Sequence, residues 1–197
     1  MSKFLVVLAI LAVGASVYYV NGPYVFPTSV ALGPCWKDYT SPSSFKARTS
    51  PLTAYHFTVG DVKGRLCYGA PESRGRRLFG PSGVVPFGQL WRMGANEPTR
   101  LFLDGPIMFG NLRLEAGRYS LYAEPDANTW RIFATTSTWH WGNQISADVK
   151  SKTVGFTDTE VVRKGAHEES LRFKMDGNVL AMMWGFTRIQ IPLAPAR

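Results

Sequence analysis

Leu171-Arg172-Phe173-Lys174-Met175, followed by Asp176-Gly177-Asn178 and then Val179-Leu180-Ala181-Met182-Met183-Trp184, is the stretch that decides the fold. Apolar residues at every second position, with Arg and Lys between them, have the period of an extended strand with one buried face. Asp-Gly between two such runs is a hairpin signal. Thr187-Arg188-Ile189-Gln190-Ile191 repeats the alternation, so three strands follow one another at the carboxy terminus. Further β-like runs lie at 64–68, 100–103, 119–124 and 130–135, with Asp104-Gly105 and Pro125-Asp126-Ala127-Asn128 as turns between them. No long amphipathic helix and no repeat of 20 to 50 residues interrupts this pattern. The spacing predicts an all-β domain, a two-sheet antiparallel sandwich with jelly-roll-like connections, over residues 54–197.

Composition agrees with this class. The 197 residues are 45% hydrophobic and 18% charged, too apolar for a disordered chain. Their 19 Gly and 13 Pro are too many turn formers for a helical bundle. The formal charge of +8 suits nucleic acid, anionic lipid headgroups or an acidic protein face.

The amino-terminal segment narrows that choice. From Phe4 to Trp36 there are 33 residues without Asp, Glu, Lys or Arg, and the first 17 are almost purely apolar. As a helix those 17 would rise about 25 Å at roughly 1.5 Å per residue, near the lower limit for a hydrocarbon core about 30 Å thick. Two readings stay open: a retained transmembrane anchor over residues 1–20, and a signal peptide cleaved near Val13-Gly14-Ala15. Aromatics just beyond the apolar run, Tyr18, Tyr19, Tyr24, Phe26 and Trp36, fit the interfacial belt of an anchor and favour the first. With Lys3 before the span and no charge after it until Lys37, the amino terminus is expected in the cytoplasm. The β domain is then in the periplasm of a bacterium, attached to the inner membrane.

Residues 21–53 carry Pro23, Pro27, Pro34, Pro42 and Pro51 and read as an extended connector. Its Tyr24, Phe26, Trp36 and Tyr39 are costly to leave in water, which points to contact with the membrane or with integral membrane protein subunits. Cys35 and Cys67 fit an oxidising compartment in which they can pair. Export makes a nucleic-acid partner for the basic run Arg74-Gly75-Arg76-Arg77 improbable, so an anionic headgroup or acidic protein surface is the better match.

Two segments carry a resemblance. They are Tyr68-Gly69-Ala70-Pro71-Glu72-Ser73-Arg74-Gly75-Arg76-Arg77-Leu78-Phe79-Gly80 and Val85-Pro86-Phe87-Gly88-Gln89-Leu90-Trp91-Arg92-Met93-Gly94-Ala95-Asn96-Glu97-Pro98-Thr99. Together with Leu114 to Tyr122 and Met183 to Pro192, they resemble the bacterial family catalogued as domain of unknown function 2911. The resemblance implies an exported β-rich domain, often behind a signal or lipoprotein segment, and no established reaction. Where members commonly carry an acidic residue after the carboxy-terminal Trp, this chain has Gly185. A membrane-anchored sandwich of this family is similar to an accessory subunit of a photosynthetic reaction-centre and light-harvesting complex, which implies pigment or lipid contacts.

The chemistry in the residues is sparse. Arg92, Asn96 and Glu97 gather a guanidinium, an amide and a carboxylate, with Arg76 within reach as a fourth member. They suit either a polar ligand pocket or a turn in which Arg92 pairs with Glu97 while Asn96 bonds loop backbone. His56, His140 and His167 are too dispersed for a metal-ligand spacing, and no cofactor motif is present. Trp139-His140-Trp141 reads as a loop folded over the core or a flat surface for a pigment, lipid or neighbouring helix. The leading expectation is a non-enzymatic, membrane-anchored accessory subunit of a membrane protein complex. The alternative is an exported envelope enzyme or small-ligand binder using Arg92, Asn96 and Glu97.

Overall fold

The computed structural model describes Cys35, residues 49–162 and residues 165–196. Its strands are β1 (Leu52–Val59), β2 (Val62–Gly69), β3 (Thr99–Leu103), β4 (Ile107–Phe109), β5 (Leu112–Leu114), β6 (Gly117–Glu124), β7 (Thr129–Thr135), β8 (Thr153–Val162), β9 (Glu168–Asp176), β10 (Val179–Gly185) and β11 (Thr187–Pro195). One short helix, α1 (Ala147–Ser151), precedes β8 and is capped by the Ser146 side chain. The carboxy-terminal alternation forms the expected hairpins, with Leu180 opposite Met175 and Trp184 opposite Thr187.

Two separate sheets are not what forms. All strand pairs are antiparallel, and nine strands make one path in the order β1-β2-β3-β6-β7-β8-β11-β10-β9. The sandwich expectation is corrected to a nearly closed barrel, and β8 is the reason. Its residues from Thr153 to Glu160 pair with β7, whereas Val161 and Val162 pair with β11, so one long strand carries the ladder across what would be the gap between sheets. Where β8 and β11 part, the β4–β5 hairpin fills in by pairing Phe109 with Leu193. Its turn passes so close to β8 that a Cβ at Gly110, φ +62°, would lie 2.1 Å from Thr157 Oγ1, and only glycine fits.

The barrel is sealed between β9 and the β1–β2 edge partly by tyrosine side chains and partly by the backbone of residues 71–73. Leu171 N–H donates to Pro71 O (2.9 Å), Phe173 N–H to the Tyr68 hydroxyl (3.4 Å) and Met175 N–H to the Tyr55 hydroxyl (2.7 Å). Three alternate amides on the edge of β9 therefore find acceptors without a partner strand, which satisfies groups that would otherwise invite another chain. Burial pushes the pKa of the Tyr68 hydroxyl up and keeps it neutral in this role. Inside, the inward faces contribute Leu66, Leu101, Leu121, Ile132, Phe173, Met182 and Ile189 to one core that also holds Trp130 and Trp184.

The outer face of β2, β3, β6 and β7 is covered as well. Arg65, Arg100, Phe102, Tyr122 and Thr135 are all buried there. Residues 136–152 supply part of the cover: Thr138 O accepts from Arg100 Nε (3.0 Å) and Val149 O from the Thr135 hydroxyl (2.9 Å). Trp139-His140-Trp141 belongs to this covering loop, where Ser137 Oγ lies 3.3 Å from His140 Nδ1. Cys67, on the same face, is bonded to Cys35 across a sequence separation of 32. By loop-closure entropy a link of that length contributes about 3–4 kcal/mol. The anchor expected over residues 1–20, with Tyr18 and Tyr19, and the connector aromatics Tyr24, Phe26, Trp36 and Tyr39 lie outside the described residues. Among the described residues no helix is long and apolar enough to cross a membrane.

Two outcomes follow for urea denaturation monitored by circular dichroism. Tyr68→Phe leaves the Phe173 amide without its acceptor and should lower stability by about 1–3 kcal/mol, with half-buried Tyr55→Phe at the low end. Unchanged midpoints in both would show that the seam does not rely on these hydroxyls. The double variant Cys35→Ala, Cys67→Ala should lose about 3–4 kcal/mol, and a smaller loss would mean that the disulfide closes a segment already ordered in the unfolded chain.

Candidate functional site

At one end of the barrel β2, β6, β8 and β10 finish while β3, β7, β9 and β11 begin. The long connection from β2 to β3 closes this end. Trp91 exchanges two 2.8 Å backbone hydrogen bonds with Ala123 of β6, which fixes its indole over the core. Phe79, from the same connection, meets Trp91, Trp130 and Trp184 edge-on with ring centroids 5.8, 4.9 and 5.7 Å away. Trp91 and Trp184 lie nearly parallel, 15° between planes at 6.0 Å. Such contacts add to the area term and make a rigid aromatic plug.

Above that plug is a cavity of about 230 Å³. Its wall includes Arg74, Arg76, Arg92, Glu72, Trp91, Trp184, Pro71, Val84 and Asn143. Sequence analysis pointed to Arg76 and Arg92, and the fold brings both here. Asn96 and Glu97 are not in the wall. Asn96 Nδ2 donates to Ser50 O (3.3 Å), so its amide holds loop backbone. Glu97 is fully buried, and its charge acts on Arg92 as a coulombic effect smaller than the effect of burial.

The electrostatics of the wall are unbalanced. Arg74 Nε bonds the Glu72 carboxylate at 3.2 Å, which largely neutralises that pair. Arg76 donates from Nε to Ser73 O (3.0 Å) and from Nη2 to Glu72 O (2.7 Å), backbone carbonyls that leave its charge uncompensated. Arg92 has a buried Nε with no hydrogen-bond acceptor, and burial pushes its guanidinium pKa down while Glu97 pulls it up. The Trp184 indole N–H, also buried, has no acceptor either. Donors in this condition are costly, about 1–3 kcal/mol for a neutral group and more for a charged one, unless something supplies an acceptor. Both atoms are packed away from the cavity, and what the wall presents to it is an excess of positive charge, three arginines against Glu72.

Backbone strain gathers at the same place. Among the described residues the non-glycine positions with positive φ are Arg74 (+50°), Met93 (+57°) and Asn96 (+62°). They all lie in the two loops that build the wall, and each costs on the order of 1–3 kcal/mol. The second loop is held by Thr99 Oγ1 donating to Met93 O (2.9 Å), Trp91 Nε1 donating to Gly94 O (3.2 Å) and Ala95 N–H donating to Gly69 O (3.1 Å). The first is held by β9. Ser73 N–H donates to Glu169 O, the Ser73 hydroxyl to Glu169 Oε2 (2.5 Å) and Arg74 N–H to Glu169 Oε1 (2.7 Å). Gly185, at φ +62° in the β10–β11 turn, shapes the floor from below: a Cβ there would lie 2.7 Å from Leu78 Cδ1.

Ser73, His167 and Glu169 share residue types with a catalytic triad, but their geometry is that of a clasp. Ser73 is buried and donates directly to the carboxylate, whereas a serine nucleophile must be reachable and hand its proton to the imidazole. Among the described residues no group of three or more His, Cys, Asp or Glu is placed to hold a metal ion. Sequence reasoning missed Glu169 and Trp184 as parts of this site, because nothing local marks a residue whose partner lies about a hundred positions away. Arg74 carried a signal in the run Arg74-Gly75-Arg76-Arg77.

The clasp makes the wall sensitive to acid. The Ser73 hydroxyl and then the Arg74 amide hold the Glu169 carboxyl below its usual range. A carboxyl with a lowered folded-state pKa stabilises the structure above its ordinary range and loses that contribution as pH falls through the lowered value. Protection of the Ser73 and Arg74 amides from hydrogen exchange, taken relative to the intrinsic rate at each pH, should therefore fall below the ordinary glutamate range. Glu169→Gln should exchange quickly at neutral pH already; protection unchanged in this variant would mean that the backbone pairing alone holds the loop.

The family described as "Protein of unknown function (DUF2911)" matches residues 50–193, the span that holds almost all the strands and nearly the whole cavity wall. No curated protein and no solved structure matches the chain. With well over half of its length matched, this chain belongs to the DUF2911 family of proteins of unknown function.

Proposed function

We propose that this domain is an exported binding protein that takes a small anion-bearing ligand into the cavity on the Trp91–Trp184 plug. The observation that carries this reading is the charge of the cavity wall, which holds Arg74, Arg76 and Arg92 against the single carboxylate of Glu72. Arg76 adds a charge bonded only to carbonyls, and Glu72 is already engaged with Arg74. A bound anion balances the excess positive charge of the wall. The Cys35–Cys67 disulfide supports the exported half of the reading, since such bonds persist in oxidising compartments. Binding, rather than turnover, fits a loop beside the wall in which the Ser73 hydroxyl is locked to the Glu169 carboxylate. Docking on a membrane complex draws on residues 1–48, which apart from Cys35 lie outside the described residues.

Isothermal titration of the full chain with a panel of small organic and inorganic anions should find saturable binding. Arg92→Gln should weaken it about 10- to 100-fold, the loss expected when charge-assisted hydrogen bonds disappear. Arg77→Gln should bind like the unaltered protein, because Arg77 is outside the cavity wall. Absence of any saturable anion binding, or equal losses in the two variants, would overturn the assignment.

A further inference from the structure

We propose that the rim of the cavity end, outside the cavity itself, is a docking surface for a bilayer containing anionic phospholipid. Phe186 is the most exposed large apolar side chain among the described residues, at 66%. It stands in the tight turn between β10 and β11, directly after Gly185 at φ +62°. Arginine-bearing segments flank it on two sides. On one, the Phe186 ring meets His167 edge-on with centroids 4.9 Å apart, and His167 Nε2 lies 3.4 Å from the hydroxyl of Ser73, the neighbour of Arg74. On the other, Gly185 packs so closely on Leu78 that a Cβ there would lie 2.7 Å from Leu78 Cδ1, and Arg77 is the next residue. Arg77 O accepts from Val84 N–H (3.0 Å), which places half-exposed Val84 on the same rim.

The carboxylates around this rim are engaged: Glu72 with Arg74, Glu168 with Arg172, and Glu169 with the Ser73 hydroxyl and the Arg74 amide. Arg76, bonded to carbonyls, and exposed Arg77 keep their charge. A protruding aromatic ring flanked by free cations matches a bilayer interface, where the ring enters the boundary between headgroups and acyl chains and the guanidinium groups meet phosphates. A flat acidic protein surface would match the arginines alone. Chain connectivity points the same way. Thr49 and Ser50 lie in the cavity wall, and Cys35 is bonded to Cys67 two residues before β2 ends, so the chain from the amino-terminal side joins the barrel at this end. Residues 21–34 span at most about 50 Å when fully extended. The apolar run that ends at Val20 and the Phe186 rim are therefore held within reach of one membrane.

The test is hydrogen exchange of the full chain on vesicles of phosphatidylcholine alone and of phosphatidylcholine with about 30% phosphatidylglycerol, at about 0.1 M salt. Any insertion of the apolar run is common to both, so the difference between them reads the rim. The amides of Arg76, Gly83 and Val84, each hydrogen-bonded within the rim loops, should gain protection on the anionic vesicles and lose that gain as salt is raised. Arg77→Gln should cut the gain about 5-fold, the loss of one basic residue at an anionic surface, and Phe186→Ser about 5- to 10-fold, the loss of one partly buried ring. Neither residue lines the cavity, so both variants should bind the small anions of the calorimetric panel like the unaltered protein. Equal protection on the two kinds of vesicle, or an undiminished gain in both variants, would overturn the docking surface. The same gain from soluble polyglutamate, indifferent to Phe186→Ser, would overturn the lipid assignment in favour of an acidic protein. A panel without saturable binding, together with a gain on anionic vesicles, would remove the anion cavity and leave this surface standing.

Discussion

A sheet that curls on itself must satisfy the amides on its two end strands, and in this protein three hydrogen bonds on one edge of β9 carry that requirement. Tyr68 and Tyr55 supply hydroxyl acceptors at the upper part of the seam, and Pro71 supplies a carbonyl at the lower part. The choice has a functional consequence. Because the seam is closed by residues 71–73 at one end, the chain leaving β2 is pinned to β9 before it turns into the loop that carries Arg74 and Arg76. A full backbone ladder would have left no gap for that loop, and an open edge would not have fixed it.

The aromatic plug performs the second half of the construction. Trp91 is tied to β6 by backbone bonds while Trp184 comes from β10, so their near-parallel rings join opposite parts of the barrel wall. Large buried side chains such as these contribute roughly 1.5–3 kcal/mol each, enough to hold a few strained loop residues. Arg74, Met93 and Asn96 sit in left-handed conformations that an unsupported loop would abandon. Hydrogen bonds from Thr99, Trp91 and Asn96, and to Glu169, keep them in place. Rigidity below and clasps at both sides keep the guanidinium groups near one another despite their repulsion.

Much of the architecture is readable in the chain. The strict alternation from Leu171 onward sets strand period and buried face, and the paired runs of β9, β10 and β11 stand where it places them. Strand β8 departs from that alternation. Its Thr157 and Thr159 are buried while Val154 and Phe156 face solvent, an inversion of the usual pattern. The inversion is stable because Thr159 Oγ1 bonds Gln190 O at 2.6 Å, Thr157 Oγ1 accepts the Asn111 amide, and the Arg131 guanidinium covers the Phe156 ring at 4.3 Å. Partners on other strands, absent from any local window, make polar groups acceptable inside and an aromatic acceptable outside.

The sequence by itself determined the all-β class, the carboxy-terminal hairpins, the pair of cysteines and the basic character of the loop at Arg74–Arg77. Tertiary structure decided that one ladder closes into a barrel, that Cys35 meets Cys67, and that Arg76 and Arg92 share a cavity with Trp184 while Glu97 is buried outside the cavity wall. The physical reason is that periodicity records which side of a strand a residue faces, whereas a binding site depends on which distant strand stands opposite and which donors are left without acceptors once every nearer group has been paired.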